Sequence, residues 1–413
     1  MHALPTRTRA GARRGLASLA VASLLLSGCS AAKDAADGAM SKAGMGDSDS
    51  TSASAPTTSA SASHPVIKTN VKKGATGVPV DTALKVTAKD ARLTKVTVTQ
   101  SGEELPGTLA SDGSSWSAGD GLEPGVTYKV RSTGTDTDGD TVHSTSSFTT
   151  QALSLDQQTY PSVAPLADET VGIGMPVIVT FDVPVTNRAS FERHLHVTTT
   201  PAQQGTWHWV SDTEVHYRPK HYWKAGTDVS VDVDINGVAA GNGIYGQEDR
   251  QVDFHVGDAH IYKVNTQTDE MKVFSNGSLL RTIPITTGQQ PAYTTRSGIK
   301  VIIEKFASKD MNSETVGITG ADAYNIKGVQ WAMRLTYSGE FIHAAPWSVS
   351  SQGVANVSHG CTGMSTENAD WLFAMTRRGD VVDYTGTDRP MEPDNGYGDW
   401  NIPWSEYKDG SAL

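Results

Sequence analysis

Between His64 and about Gln151, apolar and polar positions alternate in short runs: "ALKVTA", "LTKVTVTQ" and "TYKVRSTG". Turn residues such as "SDG", "EPG" and "DTDGD" break them. Period-two alternation puts one face of a strand in a core and the other in water, so this stretch predicts a β-sandwich. From about Ser154 to Val256 the style repeats in "PVIVTFDVPV", "LHVTTTP", "DVSVDVDI" and "RQVDFHV". Within it, "GTWHWVS" followed by "TEVHYRP" predicts a hairpin whose Trp and His residues pack along a sheet face. A third pattern begins near Asp258, where "HIYKVNTQTDEMKVFSNGSLLRTIPITTG" predicts three strands. Asn276-Gly277 joins two of them, the pairing a type I′ turn demands because both positions need positive φ. "SGIKVIIEK" and "DVVDYTG" add further strands. One helix is predicted, with Ser365 as N-cap, Ala369, Leu372, Phe373 and Met375 as its apolar positions, and Arg377-Arg378-Gly379 at its close. The C-terminal "GYGDWNIPWSEY" is too apolar for a free tail and is expected to pack back on the body.

The first 63 residues read differently. Arg7, Arg9, Arg13 and Arg14 precede an apolar run of eleven residues, Leu16 to Leu26, too short to span a bilayer but suited to a signal peptide. The run ends in Leu26-Ser27-Gly28-Cys29, which resembles a bacterial lipobox and implies cleavage before Cys29 and acylation of its thiol. The next stretch is rich in Ala, Ser, Thr, Asp and Gly and predicts a flexible tether with a typical reach of about 30 Å. The chain is thus read as mainly β. Residues 1–28 form a leader, 29–63 a lipidated tether, and 64–152 and 153–256 two sandwiches similar to bacterial immunoglobulin-like domains. Residues 257–386 form a mostly β domain with one main helix, and 387–413 a C-terminal extension.

Charge narrows the partners. The formal net charge is −11, and the leader contributes four Arg and no acids, so the remainder is more acidic still. With no basic stripe, nucleic acid or another polyanion is excluded as a partner. Asp136 to Asp140, "DTDGD", places its glycine fourth rather than sixth, which suits a hairpin turn better than a calcium loop. Only two cysteines are present. With Cys29 acylated, Cys361 has no intramolecular partner, which excludes a disulfide framework and a multi-cysteine zinc site. It is then either a small buried hydrophobe or a nucleophile.

Its neighbours favour the second. Ser358-His359-Gly360 comes immediately before it, and His343 lies at the end of the strand "GEFIHAAPW", separated from Ser358 by fourteen intervening residues. A cysteine close to a helix start and an imidazole is expected to have a lowered pKa. Gly360 permits a sharp turn, and the amides of Gly360 and Cys361 are candidate oxyanion donors. A histidine on a neighbouring strand is a common source of the base.

"IHAAPWSVSSQGVANVSHGCTG" resembles the signature of the L,D-transpeptidases with a YkuD-type catalytic domain, in which a histidine precedes [Ser/Thr]-His-Gly-Cys by 14–17 residues. The "TTG" at Thr286 to Gly288, the "TRSG" at Thr295 to Gly298 and the "GDWNIPW" near the end extend the likeness to actinobacterial members. The resemblance implies acyl transfer through a thioester on Cys361, release of D-Ala from a peptidoglycan tetrapeptide stem, and a 3→3 cross-link to a second stem's amine. It implies His343 as base, oriented by the Ala344 carbonyl, and His359 as a residue that shapes the site. Met311, Tyr324 and Trp347 fall where relatives carry a flap over the cleft, and Asn356 is a polar candidate beside the motif; all four are expected to touch substrate. No cofactor or metal is implied. The expected protein is a monomer, lipid-anchored at the outer face of the cytoplasmic membrane and facing the wall. An L,D-carboxypeptidase, a protein-to-peptidoglycan transferase and an inactive wall-binding module are the alternatives. Two departures stand out: Gly363 where many relatives have Asn, and Arg296 where the family often has Pro.

Overall fold

Alternation in the sequence becomes two-faced strands. Along Thr127–Asp136, Tyr128, Val130 and Ser132 are buried while Thr127, Lys129 and Arg131 face solvent. The structure, a computed structural model, describes residues 64–413. Cys29, the leader and the tether lie outside the described residues.

The first sandwich pairs a sheet ordered 66–69, 85–89, 115–118, 107–109 with one ordered 103–104, 91–100, 127–136, 141–149. Val86, Val98, Trp116, Leu122, Tyr128 and Phe148 fill its core. "DTDGD" is a hairpin turn, closed by Asp136 Oδ1 accepting from the amides of Asp138 (3.0 Å) and Asp140 (2.8 Å). The second sandwich is built the same way from strands between Pro161–Ala164 and Arg250–Val256, and Gly205–Trp209 pairs with Glu214–Pro219 as the aromatic hairpin.

The second sandwich and the third domain share one apolar core, which runs from Val177, Val231 and Trp223 to Val301, Ile303 and Val381. Gly172 and Gly174 make this approach possible. A Cβ on Gly172 would lie 2.2 Å from the Asp380 amide nitrogen, and the bare backbones instead exchange hydrogen bonds, Gly172 N–H to Arg378 O and Gly174 N–H to Gly379 O, each 2.8 Å. The C-terminal extension packs on the second sandwich. Tyr407 is fully buried, and the Arg218 guanidinium lies over the rings of Trp400, Trp404 and Tyr407 at 4.7, 5.3 and 4.1 Å.

The third domain folds two sheets around its own core. The first is ordered 278–284, 270–275, 260–265, 381–385, 298–301; the second is ordered 304–312, 325–334, 341–344, 362–364. Asn276 and Gly277, at φ 47° and 81°, form the expected tight turn. The helix Thr366–Met375 is capped by Ser365, whose hydroxyl accepts from the Asn368 amide, and buries Ala369 and Leu372. Strands Phe341–Ala344 and Thr362–Met364 run parallel, with Ile342 opposite Thr362 and His343 opposite Gly363. Parallel neighbours require a long crossover, and that crossover carries Trp347 and the Ser358-His359-Gly360 turn.

Candidate active site

The parallel pairing brings thiol and imidazole to one face. Paired residues share a face and alternate residues repeat it, so His343, Gly363 and Cys361 look the same way, while Ile342, Ala344 and Met364 enter the core on the other. They line a cleft of about 270 Å³ with Ser358, His359, Trp347, Met311 and Tyr324. Three of the four expected substrate contacts are therefore at the cleft wall.

Asn356 is not. Its Oδ1 accepts from both the amide and the hydroxyl of Thr287 at 2.6 Å, and its Nδ2 donates to Thr266 O at 2.7 Å. The side chain clamps the crossover to two other loops and has no group to offer a substrate.

The His343 ring is buried, and its Nδ1–H donates to the Ala344 carbonyl at 2.8 Å. Because that carbonyl can only accept, the tautomer is fixed and Nε2 keeps its lone pair. Burial holds the imidazole pKa below its usual value, so the ring is neutral at rest. Trp347, 55% exposed, stacks on it at 5.8 Å.

The thiol corrects the expectation of a lowered pKa. Burial pushes Cys361 up to about 12; the Glu340 carboxylate adds to this, while a Phe341 backbone hydrogen bond and Lys300 oppose it. The helix cannot help, because strand Thr362–Met364 separates Cys361 from the helix start at Thr366, and dipole effects fade within one turn. At rest the S–H points to Gly339 O at 3.6 Å rather than to His343.

The turn before the cysteine is stapled. Ser358 Oγ accepts from the Gly360 amide at 3.1 Å and donates to the Cys361 carbonyl at 2.6 Å. The Gly360 amide is thus engaged in the resting site and does not stand ready as an oxyanion donor. Gly360 itself sits at φ 120°, a region open essentially to glycine, and its carbonyl accepts from Thr295 Oγ1 at 2.8 Å. His359 is exposed between the rings of Tyr293 and Tyr324, at 4.3 and 4.9 Å.

Both departures from the family pattern acquire a place. A Cβ on Gly363 would lie 2.9 Å from Ala345 Cβ and 3.2 Å from Thr286 Cγ2, so the missing side chain keeps the cleft wall open. Arg296 is buried and paired with Glu340 at 2.9 Å. Glu340 and Lys300 were not singled out from the sequence, although Lys300 interrupts the apolar strand Gly298–Val301 and Glu340 immediately precedes the apolar strand Phe341–Ala344; a charge at those positions was the available signal. Among the described residues no group of His, Cys, Asp and Glu could hold a metal ion.

Residues 75–239 match the bacterial Ig domain family, and residues 259–383 match the YkuD family, the L,D-transpeptidase catalytic domain. The chain is 36% identical over 352 residues to L,D-transpeptidase 2 of Mycobacterium tuberculosis, spanning 84% of this chain and 85% of that protein. It is 33% identical over 339 residues to L,D-transpeptidase 5 of Mycobacterium tuberculosis, spanning 80% of this chain and 73% of that protein. A solved structure of the LD transpeptidase LdtMt1 in complex with imipenem is 36% identical over 54% of this chain and 97% of its own, with a TM-score of 0.48.

Proposed function

This chain belongs to the L,D-transpeptidase family, and we propose that it forms 3→3 cross-links in peptidoglycan by acyl transfer through Cys361. The Cys361 Sγ attacks the carbonyl between the third, diamino-acid residue of a tetrapeptide stem and its D-Ala. His343 Nε2 takes the thiol proton as the S–C bond forms and gives it to the departing D-Ala amine. The side-chain amine of a second stem then attacks the thioester, His343 removes its proton, and the thiol is restored. No cofactor takes part.

The reading rests most on one observation: the Ala344 carbonyl fixes His343 so that the lone pair of its other nitrogen lies in the cleft that holds the thiol. Thiol and imidazole are neutral at rest, so the proton moves as attack proceeds rather than before it. Substrate contact is assigned to Met311, Tyr324 and Trp347, and His359 shapes the wall between its two tyrosines. We further assign the protein to the outer face of the cytoplasmic membrane, held by an acylated Cys29 at the end of the tether; support for this is the Leu26-Ser27-Gly28-Cys29 sequence.

The test is incubation of the full chain with a disaccharide-tetrapeptide, followed by mass spectrometry. Released D-Ala together with a cross-linked dimer is expected, and Cys361→Ala abolishes both. Release of D-Ala without dimer in the presence of acceptor would replace transpeptidation by hydrolysis, and activity in Cys361→Ala would remove the nucleophile.

A further inference from the structure

A buried carboxylate follows directly on the residue that accepts the thiol hydrogen bond, and its charge opposes the one that acyl transfer must develop on sulfur. Glu340 is 5% exposed. It sits between Gly339, whose carbonyl accepts the thiol hydrogen bond, and Phe341, which packs against Cys361. Two cations meet it. Lys300, with no exposed surface, donates from Nζ to Glu340 Oε2. Arg296 donates to Oε1 from Nη1 at 2.9 Å and from its backbone amide at 3.2 Å, and its Nε pairs with Glu392 nearer the surface.

The Lys300 ammonium is also tied to the cysteine strand from its other side. It lies 3.7 Å from the centre of the Tyr384 ring, and the Tyr384 hydroxyl bonds Thr362 Oγ1 at 2.6 Å, one residue past Cys361. A buried ion pair is weak evidence for stability, because desolvating both ions offsets their attraction. Its worth must then be sought in what it does locally. Lys300 and Arg296 carry two positive charges against one buried carboxylate, with Glu392 partly exposed and screened. The other titratable groups around the thiol, His343, His359 and Tyr324, line the cleft.

We propose that Lys300 is a positioning residue for acyl transfer, whose buried ammonium, held by Glu340 and the Tyr384 ring, cancels the Glu340 carboxylate and stabilises the Cys361 thiolate as it forms. Arg296 holds the second carboxylate oxygen, so Glu340 stays fixed as an anion of known position. The inference rests on Cys361 being the nucleophile, and it gives a role to Arg296, the residue that departs from the family pattern.

The sign of the effect separates this role from packing. Removing Lys300 leaves the Glu340 carboxylate held by Arg296 alone, with Oε2 uncompensated, whereas neutralising Glu340 leaves both cations without it. Alkylation of Cys361 by iodoacetamide in the full chain, followed by mass spectrometry of its peptide from pH 6 to 10, reads thiolate formation directly. A nearby charge moves a pKa by about 1–3 units, and a thiol's lower basicity makes it a poorer nucleophile, so each unit is worth about a three- to fourfold change in rate below the pKa. Lys300→Met is expected to slow alkylation at pH 8 about threefold or more. Glu340→Gln is expected to speed it by a similar factor, and the double variant to return within about twofold of wild type. Lys300→Arg, which keeps the charge, should restore part of the loss. If both single variants slow alkylation, or neither moves it, the proposal fails. Should Lys300→Met not fold, Glu340→Gln is judged against Glu340→Asp, which disturbs the packing but keeps the charge: the proposal stands if Gln speeds alkylation and Asp does not, and fails if both speed it or Gln does not. Retained D-Ala release by Cys361→Ala would sink the acyl-transfer reading instead, whichever way the alkylation rates fall.

Discussion

Raising the pH from 6 to 9.5 should loosen the seam between the second sandwich and the C-terminal extension, because a buried histidine there is held as a cation. His216, on strand Glu214–Pro219, directs Nδ1 to Asp399 Oδ1 at 2.9 Å and Nε2 to Glu214 Oε1 at 2.8 Å. The Tyr407 hydroxyl donates to the same Asp399 oxygen at 3.0 Å. Burial disfavours the charged imidazole, but Asp399 and Glu214 outweigh it and raise the pKa from 6.5 to about 9. Asp399 is correspondingly held below its usual range, with His216 and Tyr407 overcoming its own burial, so it stays ionised throughout this window. Because the folded pKa is the higher one, the stabilisation is complete below 6.5 and disappears as pH rises through about 9. At 1.36 kcal/mol per pH unit, that window is worth about 3 kcal/mol.

A loss of this size lowers a melting temperature by about 6–12 °C in a unit of 150–250 residues. Thermal melts across pH 6–9.5 should show it in the wild type, with faster hydrogen exchange at Trp404 and Tyr407 at the upper end. His216→Gln should melt lower at pH 6, having left Asp399 buried without its cation, and its melting temperature should be nearly flat over the same range. If the variant kept the wild-type slope, the alkaline loss would belong to other groups and the ionic seam would not be what holds the extension.

Gly363→Ala places a Cβ 2.9 Å from that of Ala345 at the cleft wall. It should cost about 1–3 kcal/mol of stability through overpacking and raise KM in the D-Ala release assay, while Cys361 alkylation stays near the wild-type rate; an unchanged KM would mean that substrate does not use this wall. A carbapenem should acylate Cys361, read as an intact-mass increase of one ring-opened adduct. With the thiol pushed up to about 12 and His343 held low, the neutral imidazole is the base, so that acylation should level off below pH 7 once His343 has lost its proton, and a rate that keeps climbing beyond pH 8 would mean that free thiolate attacks without His343.

What could be read from the sequence was local. Asn276-Gly277 specifies its turn by φ alone, Ser365 caps its helix by reaching three residues ahead, and His343 and Cys361 advertise themselves through spacing within one motif. The misreadings all involve environment. Asn356 looked like a free polar group because its partners, Thr266 and Thr287, lie 90 and 69 residues away. Asp399 reaches His216 across 183 residues, and no window of hydropathy reports such a pairing. The thiol shows the same difficulty most sharply. Nearness to a helix and a histidine suggested activation in advance, yet three residues of strand carry Cys361 away from the helix end, and the fold that presents it also removes it from water. A buried thiol facing a neutral imidazole gains nothing from ionising early. It must lose its proton while the carbonyl carbon is already approaching, so substrate binding, by filling the cleft and drawing the S–H away from Gly339, is part of the activation. On that reasoning the charges beneath the cysteine matter only at the moment of attack, and that is why neither Lys300 nor Glu340 belongs to the motif that gives the nucleophile away.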